Sequence, residues 1–212
     1  MTAGLRELKK QQTRQAISDA ATRLFLERGF EKVSLTEIAA AAQVAKMTVS
    51  NYFPRKEDLA FDYHETLTAS LARAVALRPV AESALAALRR ECLAAIERHD
   101  PVIGFSGPGF ARMIAGSPTL TARLRELHDQ CEDALAQVLS ADTATAPGDL
   151  TPRAAAALLA AAYRTLFRQI MELTLAGKDD QEITAIVTGS GRQVFALLEP
   201  SLADYAVRKP PS

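Results

Sequence analysis

Ser34-Leu35-Thr36-Glu37-Ile38-Ala39-Ala40-Ala41-Ala42-Gln43-Val44-Ala45-Lys46-Met47-Thr48-Val49-Ser50-Asn51-Tyr52-Phe53-Pro54 is the stretch on which the reading of this 212-residue chain turns. Its first four residues have the form of a capping box. The Ser34 hydroxyl is placed to accept from the Glu37 amide while the Glu37 carboxylate reaches back to the Ser34 amide. The short helix it starts carries its apolar face on Leu35, Ile38, Ala39 and Ala42. Gln43-Val44-Ala45 predicts a turn, and a further helix follows over 46–52. Pro54 stops that helix, because the residue before a proline is pushed out of the α region. Two short helices joined by a three-residue turn form a helix-turn-helix hairpin.

The second helix of the pair is polar where a generic hairpin would be apolar. Val49 and Phe53, at i and i+4, can enter a core, which leaves Lys46, Met47, Ser50 and Asn51 pointing away. Those side chains suit the major groove. Lys46 can donate to guanine O6 or N7, Asn51 can pair with adenine N6 and N7, Met47 can press on a thymine methyl, and Ser50 can donate or accept. Thr48, Tyr52 and Lys56 lie where two hydroxyls and an ammonium can hold phosphates and fix the register. Ser34 and Thr36, at the start of the first helix, join them as candidate DNA contacts. A solvated polar helix with no partner is the bland reading of the same pattern.

Upstream, the spacing predicts a helix over about 9–28, with Ile17, Ala20, Ala21, Leu24 and Phe25 in one stripe. Gly29 follows it where a left-handed residue would end the helix. Within these residues the sequence resembles the DNA-binding domain of the TetR family of bacterial regulators over residues 17–59. The resemblance rests on Phe25-x3-Gly29-Phe30, Leu35-Thr36-Glu37-Ile38-Ala39 and Tyr52-Phe53-Pro54-x-Lys56-Glu57-Asp58-Leu59. It implies an all-α repressor dimer whose C-terminal domain binds a small effector. It also implies that the 46–52 helix reads bases while Tyr52 and Lys56 touch the DNA backbone. Three positions depart from the family pattern. Gln43 stands where Gly is frequent, Ala45 where Ser is frequent, and Ser50 where an aromatic is frequent. Ala45 supplies no side-chain cap, and the operator is not to be copied from relatives.

The fold expected is thus all-α, with a helix-turn-helix domain over 1–55, a helical effector-binding and dimerisation domain over 56–199, and a loose tail over 200–212. A helix is expected from about Lys56 to Pro79, with Glu57 and Asp58 facing the positive end of its dipole. This helix is the expected pivot between the two parts. Further helices are read at about 81–98, 108–115, 119–140, 152–176 and 180–199. The last of these carries a near-heptad apolar stripe. With Leu158 and Leu159 of the helix before it, the residues Ile183, Ile186, Val187, Ser190, Val194 and Leu197 are the expected dimer face; the alternative is that both helices merely complete the core. The effector pocket is expected among the middle helices, at Tyr63, His64, Phe105, Phe110, Met113, Tyr163, Phe167 and Met171, with Arg112 and Arg168 as further polar candidates.

Composition agrees with a globular chain and bounds its partners. Lys and Arg number 25 against 25 Asp and Glu, yet residues 1–60 carry a net charge of +3. Arg6, Lys9, Lys10 and Arg14 make a basic N-terminal arm, which reads equally as a phosphate contact or as a solvated charge run. That modest excess argues against a nucleoid-type protein that binds DNA without preference; an activator in place of a repressor stays open. The three histidines show no metal-ligand spacing, no nucleophile elbow or phosphate loop is present, and Cys92 and Cys131 have no metal-site spacing. No enzyme activity, cofactor or metal is expected. With no apolar leader and no run long enough to span a bilayer, a cytoplasmic location without membrane contact is expected.

Overall fold

The computed structural model describes residues 2–146 and 148–210, with side chains from Leu5 onward. Every regular element among them is helical. In chain order these are α1 (Thr2–Arg28), a 3-10 turn (Phe30–Lys32), α2 (Leu35–Ala41), α3 (Lys46–Tyr52) and a second 3-10 turn (Lys56–Leu59). Then come α4 (His64–Ala76), α5 (Ala84–Glu97), a third 3-10 turn (Pro101–Ile103), α6 (Gly107–Ala115), α7 (Pro118–Thr143), α8 (Thr151–Leu175) and α9 (Asp180–Leu202). Packing divides the chain into two units. One comprises residues up to His64 together with Arg112–Arg123; the other comprises Glu65–Ala111 and the chain from Leu124. The first unit thus takes in the 56–64 segment and the turn between α6 and α7. The long helix expected from Lys56 is a 3-10 turn followed by α4, and α6 and α7 also contribute to both units.

The first unit is built around aromatic residues. Phe25 and Phe30 pack at 5.0 Å between ring centroids, with Ile17, Ile38, Val49 and Phe53 fully buried beside them. Gly29 takes φ 83° and donates its amide to Phe25 O at 2.9 Å, ending α1 as its conformational freedom allows. The Ser34–Glu37 capping box forms in both directions. Glu37 is held down to about 2 by the Ser34 amide, the Ser34 hydroxyl and the Arg28 guanidinium. Gln43 lies at φ 55°, in the left-handed region that favours glycine. The α3 N-terminus receives no side-chain hydrogen bond from Ala45. Two interactions bring the α6–α7 turn into this unit: Ser117 Oγ donates to Glu31 Oε1 at 2.6 Å, and Arg123 pairs with Asp58 at 2.7 Å, both partners nearly buried. Asp58 is therefore neutralised by a guanidinium and does not begin a helix.

In the second unit α9 packs on α5 and α8. The expected α9 stripe divides into two faces. Ile183 and Val187 are fully buried, as is Leu159 of α8, so these three belong to the protomer's own core and not to a dimer face. Their neighbour Gly191 brings α9 close to Leu93, Ile96 and Leu166. Ile186 and Leu197 of α9 and Leu158 of α8 are exposed, with Ser190 and Val194 half-buried between the faces. The C-terminal segment also departs from expectation. Helix α9 runs through Pro200 to Leu202, and the following residues are pinned by backbone. The Ala81 amide donates to Arg208 O at 2.9 Å and the Arg208 amide to Glu82 O at 3.0 Å. The expected loose tail is thus tied down as far as Arg208, because these backbone groups find partners on the α4–α5 loop; residues 211 and 212 lie outside the described residues.

Candidate nucleic-acid interface and ligand cavity

Helix α3 is short, so its orientation depends on what holds it. Val49 and Phe53 are fully buried. The Arg14 guanidinium lies over the Phe53 ring, 4.5 Å from its centroid, and donates to Tyr52 O at 3.4 Å and Asp62 O at 3.2 Å. Asp62 in turn accepts from the Ser18 hydroxyl. Helix α1 therefore grips the C-terminal end of α3. A cation over an aromatic face in a part-buried setting contributes about 1 kcal/mol. The sequence hid this role, since Arg14 reads as one more charge of the basic arm.

The remaining α3 side chains are free to meet a partner. Lys46, Met47 and Asn51 are exposed, Met47 by 71%. Thr48, Ser50 and Tyr52 are half-buried at the edges of the same face, and Thr36 is exposed on α2. Ser34 is also exposed, but its hydroxyl is engaged with Glu37, accepting from the amide and donating to the carboxylate at 2.8 Å. Lys56 points back into the unit. Its ammonium donates to Phe30 O at 2.6 Å and sits 4.1 Å from the Phe30 ring centroid, and burial lowers its pKa. An ammonium carries three donors, so Lys56 ties the second 3-10 turn to the first, just after α1, with N–H groups remaining.

The second unit holds a cavity of about 590 Å³ lined from α4, α5, the third 3-10 turn, α7 and α8. Of the residues expected at a pocket, Tyr163 and Phe167 line it. Phe105 is buried and stacks on His99 at 5.0 Å, Met171 is buried, and Phe110 is half-buried. Tyr63, His64 and Met113 belong to the first unit, where His64 Nδ1 donates to Phe61 O at 2.8 Å. Arg112 and Arg168 are exposed. Ser70, His128 and Cys131 also line the cavity, although none of them was expected at a pocket. Most of the lining charges are already paired, Arg164 with Glu132 at 2.6 Å, Arg90 with Glu82 at 3.0 Å and Glu91 with Arg98 at 2.9 Å. Burial raises the Cys131 thiol and pushes Cys92 up to about 12, so neither is a thiolate at neutral pH. The Tyr163 hydroxyl is committed to Leu88 O at 2.8 Å.

His128 is the polar group most altered by this surrounding. Burial lowers its pKa to about 4, helped by the Arg164 charge and opposed by Asp129. The unfolded chain takes up the His128 proton near 6.5, whereas the folded chain refuses it until about 4. Stability is therefore expected to fall as pH drops through that interval, because the unfolded state binds more protons. Thermal midpoints measured from pH 7.5 downward test this. A His128→Leu variant is expected to show a flatter profile, and an unchanged slope would contradict the assignment.

Among the described residues no group of three or more His, Cys, Asp or Glu is arranged to hold a metal ion, and no helix is long and apolar enough to cross a membrane. A family model described as bacterial regulatory proteins, tetR family, matches residues 17–63. A second, described as the MftR C-terminal domain, matches residues 80–200, more than half the chain. The HTH-type transcriptional regulator TcmR of Streptomyces glaucescens is 27% identical over 172 residues, covering 78% of this chain and 76% of that protein. The fold resembles that of NalD, the secondary repressor of the MexAB-OprM multidrug efflux pump in Pseudomonas aeruginosa. The TM-score is 0.55 with 21% identity, over 92% of this chain and 98% of that one. It also resembles Thermus thermophilus FadR, solved with lauroyl-CoA, with a TM-score of 0.50 and 24% identity over 94% and 98% of the two chains. The helix-turn-helix and the helical unit that follows it are thus both matched, and the protein belongs to the TetR family of bacterial transcriptional regulators.

Proposed function

We propose that the protein is a repressor that binds a palindromic operator as a homodimer and leaves it when a small molecule enters the cavity of the second unit. The observation that carries the operator reading is the division of α3. Val49 and Phe53 anchor it with no exposure, while Lys46, Met47 and Asn51 stand clear of the protein. A helix fixed on one side and polar on the other reads base edges in a major groove, with Tyr52 and Thr48 positioned for phosphates. Lys46→Ala and Asn51→Ala are each expected to cost about 1–3 kcal/mol of discrimination at one base pair. Both sites are exposed, so helix content is expected to stay constant. Titration against a duplex that the protein selects from a random library, and against its single-base variants, checks this. Equal affinities for wild type and both variants would overturn the assignment.

Dimerisation is supported by the outer faces of the last two helices. Leu158 is 47% exposed, Ile186 38% and Leu197 79%, an apolar surface that water leaves unfavourably solvated. Nothing lies within 4 Å of a Cβ built on Gly189, so a second backbone can approach there. A twofold dimer over these faces carries two copies of α3 for two half-sites.

The cavity supports an effector that is largely apolar. Leu67, Leu71, Ile103 and Phe167 supply its walls, and Ser70 and neutral His128 supply hydrogen-bonding atoms. With most lining charges already paired, a charged ligand gains little there. Such a molecule acts only through its differential affinity for two states. A preference of about 1–3 kcal/mol for the state that does not bind DNA weakens the operator complex by roughly 5–150-fold. Both α4 and α7 line the cavity and run on into segments of the first unit, which makes them the routes for that shift.

A further inference from the structure

One wall of the cavity is made by side chains that lie a helical turn apart on two neighbouring helices. His128 and Cys131 of α7 and Arg164 and Phe167 of α8 all line it. The Arg164 guanidinium donates to Glu132 Oε2 at 2.6 Å, which ties α8 to α7. The Phe167 ring stands edge to face with the His128 imidazole, 5.2 Å between centroids at 80°. The imidazole is therefore braced from behind by an aromatic ring and faces a cavity whose other polar groups are mostly engaged.

Those engagements leave little choice of anchor. Tyr163 donates to Leu88 O, and Arg164, Arg90 and Glu91 are in ion pairs. Arg73 and Glu65 are exposed to water, where a charge pair is worth little. The Ser70 hydroxyl donates to Leu67 O at 2.8 Å, so its oxygen is left as an acceptor, 3.8 Å from Cys131 Sγ. His128 differs, since among the described residues no group is hydrogen-bonded to its ring. Burial and the Arg164 charge hold that ring neutral, with one N–H donor and one bare nitrogen. A neutral imidazole does not pair with a carboxylate as a cation would, and a ligand ammonium meets the same Arg164 charge that disfavours the imidazolium. A carbonyl can bond only the N–H. A hydroxyl can bond either nitrogen, and its proton can also go to Ser70 Oγ, which Cys131 places one turn of α7 from His128. We infer that the effector is an uncharged, largely apolar molecule whose hydroxyl group is anchored by His128. This rests on the reading of the cavity as the effector site.

The test titrates the full-length protein with three probes built on one naphthalene ring, its hydroxymethyl, methyl and carboxylate derivatives. The chain has no Trp, so naphthalene emission reports binding without tryptophan background. Wild type is compared with His128→Leu and His128→Gln. On His128→Leu the hydroxymethyl compound is expected to lose about tenfold in affinity, the change that one hydrogen bond lost at a buried group brings. The methyl compound is expected to bind that variant at least as well as wild type, because leucine adds apolar wall. Glutamine keeps a donor and an acceptor and takes no charge, so His128→Gln is expected to restore most of the hydroxymethyl affinity. Wild type is expected to bind the carboxylate about tenfold more weakly than the hydroxymethyl compound, or worse, since the carboxylate must shed its water without gaining a cation. A hydroxymethyl-to-methyl affinity ratio that His128→Leu leaves unchanged means that the ring only shapes the cavity, and overturns the anchor alone. A carboxylate bound as tightly as the hydroxymethyl compound overturns the uncharged class. A wild type that binds none of the three overturns the reading of the cavity and the anchor with it.

Discussion

An Arg123→Met variant is expected to lose about 3–5 kcal/mol of stability, the cost of leaving a buried charge without its partner. Arg123 donates to Asp58 Oδ1 through Nε at 3.0 Å and Nη2 at 2.7 Å, and the two side chains are only 9% and 7% exposed. Removing the guanidinium strands a carboxylate among apolar neighbours, with Leu59 and Phe61 fully buried close by in the chain. Such a loss is a large part of the 5–15 kcal/mol that holds a typical domain together. The consequence reaches the interface, because Asp58 lies on the 3-10 turn whose Lys56 is bonded to Phe30 in the 3-10 turn after α1. Urea denaturation measures the effect. An Asp58→Leu/Arg123→Met double variant is expected to recover much of the loss, since replacing both partners removes the uncompensated charge. A single-variant loss below about 1 kcal/mol would show that water, and not Arg123, neutralises Asp58.

A loss of similar size is expected for Arg78→Met in the second unit. Arg78 is 1% exposed, the largest of the fully buried side chains. Its Nε donates to Glu82 O at 3.1 Å, Nη1 to Val75 O, and Nη2 to Ala206 O at 2.8 Å and to Asp142 at 2.6 Å. One guanidinium thus joins the end of α4, the loop before α5, the end of α7 and the C-terminal segment. Arg208 adds to the clasp by donating to Ala76 O and Arg78 O. Each buried carbonyl left without a donor costs about 1–3 kcal/mol, which puts the whole near 3–5 kcal/mol once relaxation is allowed. The variant is also expected to be cut by protease within 203–210, where wild type resists. Unchanged stability and protease resistance would mean that the backbone pairing of Ala81, Glu82 and Arg208 suffices.

These two arginines mark the boundary of what the sequence tells. The α2–α3 hairpin was legible because its determinants lie within a few residues of each other. Ser34 and Glu37 are three apart, Gly29 directly follows α1, and Phe53 directly precedes Pro54. Asp58 looked like a helix-dipole acid because its partner is 65 residues away on α7. The C-terminal segment looked loose because proline content says nothing about backbone groups that pair with Ala81 and Glu82. The α9 stripe spanned two faces, and only packing separates Ile183 and Val187, which are in the core, from Ile186 and Leu197, which are not. Ser70, His128 and Cys131 were not expected at the cavity for a related reason. Residues at helical spacing look the same whether they face a neighbouring helix or an empty space.

The central claim is sequence-specific recognition by α3, and selection from a random duplex library with the purified protein tests it most directly. Affinity for the winner and for a scrambled control is then measured at two salt concentrations. The predicted result is a palindromic winner with half-sites about 34–36 Å apart or a multiple of that, preferred by roughly a thousandfold or more. No enriched site, with equal and salt-sensitive binding to both duplexes, would contradict it.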